Sequence, residues 1–177
     1  MAPDWHERWI YIEKGAGSLT QRTELSAQQT KFFEALKSGD WEMPAGLLNL
    51  VIRPQDWLQK VRYGYVRYIW PNTGDRDISN GRVFGGWIAG FSDHIVSMCM
   101  ASALEDGEWF TTTELQTRIF RPVPHGKIEI EGRLVSRGRT TGFVEADWKD
   151  QNGRHLVRIS AAKAIRTHAE LAVTGTR

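Results

Sequence analysis

After the pair Gly85-Gly86 the chain runs Trp87-Ile88-Ala89-Gly90-Phe91-Ser92-Asp93-His94-Ile95-Val96-Ser97-Met98-Cys99-Met100-Ala101, and this stretch decides the fold. It is too long for an ordinary strand and apolar almost all round, which predicts a helix buried on nearly every side. Such a helix needs a cover. Downstream, segments at about 109–121, 127–137, 141–149 and 154–165 have strand-like composition. They are separated by Pro122-Val123-Pro124-His125-Gly126, by Gly138-Arg139 and by Asp150-Gln151-Asn152-Gly153, all turn signals. Upstream, Val61 to Trp70 mixes aromatic and β-branched residues with Arg62 and Arg67 and stops at Pro71-Asn72, which predicts one further strand. One strand, one buried helix and four strands in meander order describe an α+β domain whose antiparallel sheet wraps round the helix.

Further out, Ser26 and Gln29 fit a capping box, Phe32, Phe33 and Leu36 share one helical face, and Gly39 stands where a helix would stop. This predicts a short amphipathic helix outside the sheet. Before it, Trp5, Trp9, Tyr11 and the stretch Gly15-Ala16-Gly17-Ser18 read as an arm draped over the domain. The expected organisation is an arm with its helix over 1–45, one domain over 46–166 and a tail over 167–177.

With 177 residues, 41% of them apolar and 25% charged, the chain suits a single globular domain. Lysine and arginine (23) exceed aspartate and glutamate (21) by two, so no strong field argues for a nucleic acid or membrane partner, while a small anion is compatible. No apolar stretch reaches the ~18 residues of a membrane span. The start, MAPDWHERW, lacks the apolar core of a secretory signal, and the chain reads as cytoplasmic. Cys99 is the only cysteine, which rules out an internal disulfide and a cysteine-built zinc site and suggests a buried thiol. The histidines (His6, His94, His125, His155 and His168) show no metal-binding spacing, so neither a metal nor a cofactor is expected. The eight tryptophans form no repeat and read mostly as core or interface residues.

Within the predicted helix Asp93 is the one formal charge, and a carboxylate in low dielectric costs several kcal/mol unless it is paired or its ionisation changes. Ser97 lies one turn on and Gly86 about two turns back, on roughly the same face. The first turn of a helix presents unpaired N–H groups and the positive end of the dipole, and paired glycines let a ligand approach them. A polarised carbonyl at the helix start and a carboxylate further in are the two parts that acyl hydrolysis requires. The structural alternatives are an acid satisfied by His94 or by an arginine from a strand, and glycines that serve close packing. Ser92, Asp93 and His94 cannot form a serine-hydrolase relay, because adjacent helical residues diverge by about 100°.

The string Asn80-Gly81-Arg82-Val83-Phe84-Gly85-Gly86, with Asp93 eight positions after Gly85, resembles hot-dog acyl-CoA thioesterases of the phenylacetate-degradation (PaaI-like) type. Thr112-Thr113-Glu114-Leu115 leading to Phe120-Arg121-Pro122, and Arg137-Gly138-Arg139-Thr140-Thr141-Gly142-Phe143-Val144-Glu145-Ala146, extend the resemblance over roughly 45–166. It implies a hot-dog fold, with about five to six antiparallel strands round one long helix. Asp93 would be general base or nucleophile, and Gly85 and Gly86 would donate to the thioester oxygen. Thr112 would orient water, and Ser97 would be a helix hydroxyl near the carboxylate. Asn80, Phe84, Arg137, Arg139 and Thr140 are the substrate-binding candidates, the two arginines toward the phosphates of coenzyme A. It further implies a homodimer or homotetramer, with the site between subunits whose sheets pair edge to edge.

Two positions depart from the pattern: Phe84 stands where most relatives have histidine, and Ile78 where many have asparagine. A slower reaction, a bulkier or more apolar acyl group, and lost catalysis are all compatible with these changes. Hydrolysis of an aryl or medium-chain acyl-CoA is the leading reading. A non-catalytic acyl-CoA-binding module comes second, and a hot-dog dehydratase third.

Overall fold

The computed structural model describes residues 24–78 and 80–167. The aromatic arm and nearly all of the tail lie outside these. The chain forms α1 (Ala27–Ser38), α2 (Ala45–Asn49), α3 (Pro54–Trp57), β1 (Leu58–Arg62), β2 (Tyr65–Asn72), β3 (Asp77–Ile78), β4 (Arg82–Val83), α4 (Gly85–Ala101), β5 (Glu108–Ile119), β6 (Gly126–Arg137), β7 (Thr141–Asp150) and β8 (His155–Thr167). Six strands make one antiparallel sheet in the order β1-β2-β6-β7-β8-β5, and β3 pairs with β4 separately. The helix α4 packs against β2, β5, β6, β7 and β8. One long helix cupped in one antiparallel sheet is the hot-dog arrangement.

That close approach has a visible cause. A Cβ on Gly132 would stand 2.9 Å from Val66 and 3.3 Å from Cys99 and Ile95, and one on Gly142 would stand 2.7 Å from the Met100 sulfur. Two sheet glycines therefore make the groove into which α4 sinks. Phe91, fully buried, packs its ring among Trp57, Tyr68, Trp70, Trp87, His94 and Trp148. The tryptophans at 57, 70, 87 and 148 are thus core residues, and Cys99 is a buried free thiol.

The capping box is present: Ser26 Oγ accepts from the Gln29 N–H and Gln29 accepts from the Ser26 N–H. The Gln29 amide also donates to the carbonyls of Ala101 (3.0 Å) and Leu104 (2.7 Å), fastening α1 to the end of α4. Phe33 and Leu36 then join the main core.

Two expectations are corrected. The strand at 61–70 is half of a hairpin: the chain turns at Tyr63-Gly64, with Gly64 at φ +63°, and β1 folds back on β2. The second strand runs through Pro71 and ends at Asn72, within the dipeptide expected to stop it. Beyond the Leu58–Tyr68 pair β2 has β6 as its only neighbour among the described residues, so the missing proline N–H can face away while Pro71 sits opposite Lys127. The four downstream strands are also not one meander. β6, β7 and β8 follow one another through tight turns, but β5 pairs with β8. The connection at 120–125 contains Pro122 and Pro124, and it carries the chain across from one edge of the sheet to β6 instead of reversing it into a hairpin.

Truncation of Phe91 to alanine is expected to cost about 3–5 kcal/mol in denaturant unfolding. The same change at the exposed Leu48 should stay within about 0.5 kcal/mol.

Candidate active site

Most of α4 is covered, but Gly86, Ala89, Gly90, Asp93, Ser97 and Ala101 remain at least partly open along one stripe. Their spacing of three and four residues is that of a single helical face. Beside this face runs β5, an edge strand of the sheet. Its register slips at Thr113, so that Thr112 stands opposite Lys163 while Glu114 stands opposite Ala162. A bulge of this kind re-aims side chains, and here Thr112 turns to the helix.

Four side chains meet at this point. The Thr112 hydroxyl donates to Asp93 Oδ1 at 3.0 Å. The Lys163 ammonium donates to Asp93 Oδ1 at 3.2 Å, to Ser97 Oγ at 3.0 Å and to Thr112 Oγ1 at 2.6 Å. The lysine side chain is 0% exposed and that of Asp93 43%, so the cation is sealed behind an acid that faces outward. Burial pushes the Lys163 ammonium below the ordinary lysine range, and the contact with Asp93 pushes it back up.

Asp93, Thr112 and Ser97, singled out in the sequence, are therefore brought together, although Ser97 reaches Asp93 through Lys163. Lys163 itself was missed. The signal was available, because the inward row of β8 reads Val157, Ile159, Ala161, Lys163, Ile165, and lysine is the one charge in it. The partner of Asp93 is thus neither His94 nor an arginine. His94 is buried on the opposite side, its Nε2 3.0 Å from the Tyr68 hydroxyl, which removes the histidine that a dehydratase would use.

At its other end α4 starts from Phe84, which gives no side-chain cap to the first turn. The Phe84 ring, 56% exposed, lies over Gly86, where a Cβ would fall 2.6 Å from it. A Cβ on Gly85 would find only the Ile119 methyl at 3.7 Å, so the glycine pair does not serve packing against the sheet. Ile119 and Phe120 are exposed nearby, which makes the helix start an apolar rim round free amide hydrogens. Seven residues of helix, about 10 Å, separate Gly86 from Asp93.

The remaining candidates are dispersed. Asn80 is exposed at the turn between β3 and β4, and Arg139 and Thr140 are exposed at the tip of the β6–β7 hairpin. Arg137 is largely enclosed in an ion pair with Glu108, so it is committed within its own chain and Arg139 is the open cation of the two. The tip lies close to the cluster in register, since Gly142 pairs with Lys163 and Lys163 with Thr112. A separate open groove of about 720 Å³ lies by β2, lined among others by Arg53, Trp57, Arg76 and Lys127, away from Asp93. Among the described residues no group of acidic, histidine or cysteine side chains is placed to hold a metal ion, and no helix is long and apolar enough to cross a membrane.

One long helix in one wrapped antiparallel sheet defines a hot-dog protein. Residues 80–157, from the turn before α4 into β8, match the family model of the Thioesterase superfamily. Three solved structures share the fold. A phenylacetic acid degradation-related protein of Ralstonia eutropha is 24% identical, with 75% of this chain and 98% of that one covered at a TM-score of 0.62. A thioesterase family protein of Silicibacter pomeroyi is 15% identical, with 76% and 98% covered at 0.64. A hypothetical thioesterase protein of Streptococcus pneumoniae solved with coenzyme A is 21% identical, with 62% and 84% covered at 0.58. No curated protein matches the chain in sequence.

Burial holds His94 neutral by pushing its protonation down to about 4, against a smaller opposing pull from Asp93. The unfolded chain takes up this proton near pH 6.5 and the folded one only near 4. Stability is therefore full above about 6.5 and falls between 6.5 and 4, by on the order of 3 kcal/mol. Urea unfolding at pH 7 and 4.5 should show this loss in the wild type. His94→Gln, which can still bond Tyr68 but does not titrate, should lack that part of it.

Proposed function

We propose that this protein hydrolyses an acyl-CoA, aryl or medium-chain, to the free acid and CoA. The observation that carries the reading is Asp93: a half-exposed carboxylate on the open stripe of an otherwise sealed helix, held at Oδ1 by Thr112 and by a fully buried cation. The coenzyme A bound by the S. pneumoniae relative supports the same substrate class.

In this reading the thioester carbonyl sits against the amide hydrogens of Gly85 and Gly86, where donors and dipole stabilise the developing oxyanion. Asp93 acts by one of two routes. As base, Oδ2 takes a proton from a water whose oxygen bonds to the carbonyl carbon, the C–S bond breaks, and the proton passes to the leaving thiolate. As nucleophile, Oδ2 bonds to that carbon, thiolate leaves, and water then cleaves the anhydride. About 10 Å is too far for one subunit's helix start and its own carboxylate to hold one reacting group. The active form is thus a homodimer or a dimer of dimers, in which Asp93 meets the glycines of a second copy. Edge strand β5 and the apolar rim of Phe84, Ile119 and Phe120 are the surfaces this pairing would cover. Asn80, Arg139 and Thr140 would contact the CoA moiety. Phe84 would line the acyl pocket, favouring an aryl or apolar group.

A second reading, a non-catalytic acyl-CoA-binding module, is favoured by one observation: the Phe84 ring rests on Gly86, in the path to the amide hydrogens. A panel of aryl and alkyl acyl-CoAs followed with a thiol reagent separates the two. Turnover that falls roughly 100- to 10,000-fold in Asp93→Asn is the expected result. Tight binding with an intact thioester after hours would select the module, and full activity in Asp93→Asn would remove the acid from the mechanism.

A further inference from the structure

Lys163 is the strongest unexplained feature of the molecule. An ammonium taken wholly out of water costs several kcal/mol, and the cost is offset only by good geometry with every proton bonded. That condition is met: its three N–H groups reach three oxygens, on Asp93, Ser97 and Thr112. The fold itself does not require a charge at this position. The neighbours along the inward row are Ala161 and Ile165, and the Phe110 ring lies 5.4 Å from the nitrogen, so an apolar side chain would pack there. The groups that face Lys163 are Asp93, Ser97 and Cys99 from α4, Thr112 and Phe110 from β5, and Gly142 from β7. Burial pushes the Cys99 thiol far up and keeps it protonated, which leaves Asp93 as the one anion among them. The bulge in β5 falls at this same level and brings Thr112 into register with the lysine.

We infer that Lys163 is a positioning residue for Asp93, fastening Oδ1 to the β8 strand from behind so that Oδ2, which none of the three side chains holds, is presented to the open face as an oriented anion. This rests on the thioesterase reading for its consequence but not for its geometry. Protonation or acylation of Asp93 would strand the buried ammonium without its counter-charge, so the ionised carboxylate is the state the site favours. Thr112 has its single proton committed to Asp93 and accepts from Lys163. It therefore shares in holding the acid and has only acceptor capacity left for water.

The test compares wild type, Lys163→Met and Lys163→Arg in steady-state hydrolysis of one acyl-CoA across pH 5–9, with thermal melts to confirm folding. Expected for Lys163→Met is a kcat lower by roughly 10- to 100-fold with KM little changed. Its acid limb should move to higher pH, because the carboxylate has lost its cation. Lys163→Arg, which keeps the charge, should return the acid limb toward the wild type. A folded Lys163→Met with wild-type kcat and acid limb would overturn the inference, as would Met and Arg variants impaired alike with the same pH profile. If Lys163→Met does not fold, Lys163→Gln is read by the same criteria. If the wild type cleaves no acyl-CoA, the thioesterase reading falls by itself. The lysine is then tested by carbon-13 NMR titration of the Asp93 carboxyl, which should move to higher pH in the Met or Gln variant and overturns the inference if it does not.

Discussion

A helix apolar nearly all round has to be covered, and the rest of this molecule follows from how that is done. The sheet curls round α4, and Gly132 and Gly142 remove the side chains that would hold it off. Phe91 and its ring of aromatic neighbours fill the floor, and α1 closes the far end through Gln29. One stripe from Gly86 to Ala101 stays open. Because the cover is otherwise complete, the charged group on that stripe, Asp93, has one direction in which to act.

The electrostatics obey the same constraint. A lone acid on a buried helix would be expensive, and the sheet answers with a cation from its inward face at the level of the acid. The answer is asymmetric: the lysine is sealed and the acid half-open. A structural ion pair has no need of such asymmetry, whereas a carboxylate that must face a substrate while keeping its charge has. His94, next in sequence, illustrates the contrast, since it points into the core, bonds Tyr68 and stays neutral.

Most of this architecture was legible in the amino-acid order, and the exceptions have physical causes. The central helix, the capping box at Ser26 and the turns signalled at 138–139 and 150–153 rest on local chemistry, and the chain reverses at 138–140 and 151–154 accordingly. Pairing of β5 with β8 depends on the path of a proline-containing connection, which no local pattern encodes. The β1–β2 turn was hidden because a single glycine, Gly64, reverses a segment whose composition on both sides is strand-like. At the site, Asp93, Thr112 and Ser97 could be named from helix spacing and resemblance. Lys163 lies 70 residues from Asp93 in the chain, and only the alternation along β8 betrayed it. Arg137 illustrates the opposite failure: an arginine beside a turn looked free, but Glu108 claims it.

The central claim is that the acid of one copy works with the helix start of another. Mixing two inactive variants tests it directly. Asp93→Asn removes the acid, and Gly86→Val forces a side chain into the space that the Phe84 ring occupies. In a dimer with shared sites, a hybrid of the two variants holds one site with both parts intact. Equal mixing with subunit exchange should then restore about a quarter of wild-type activity per subunit. If each subunit carries a complete site of its own, every site in the hybrid lacks one part, and the mixture stays as inactive as its components.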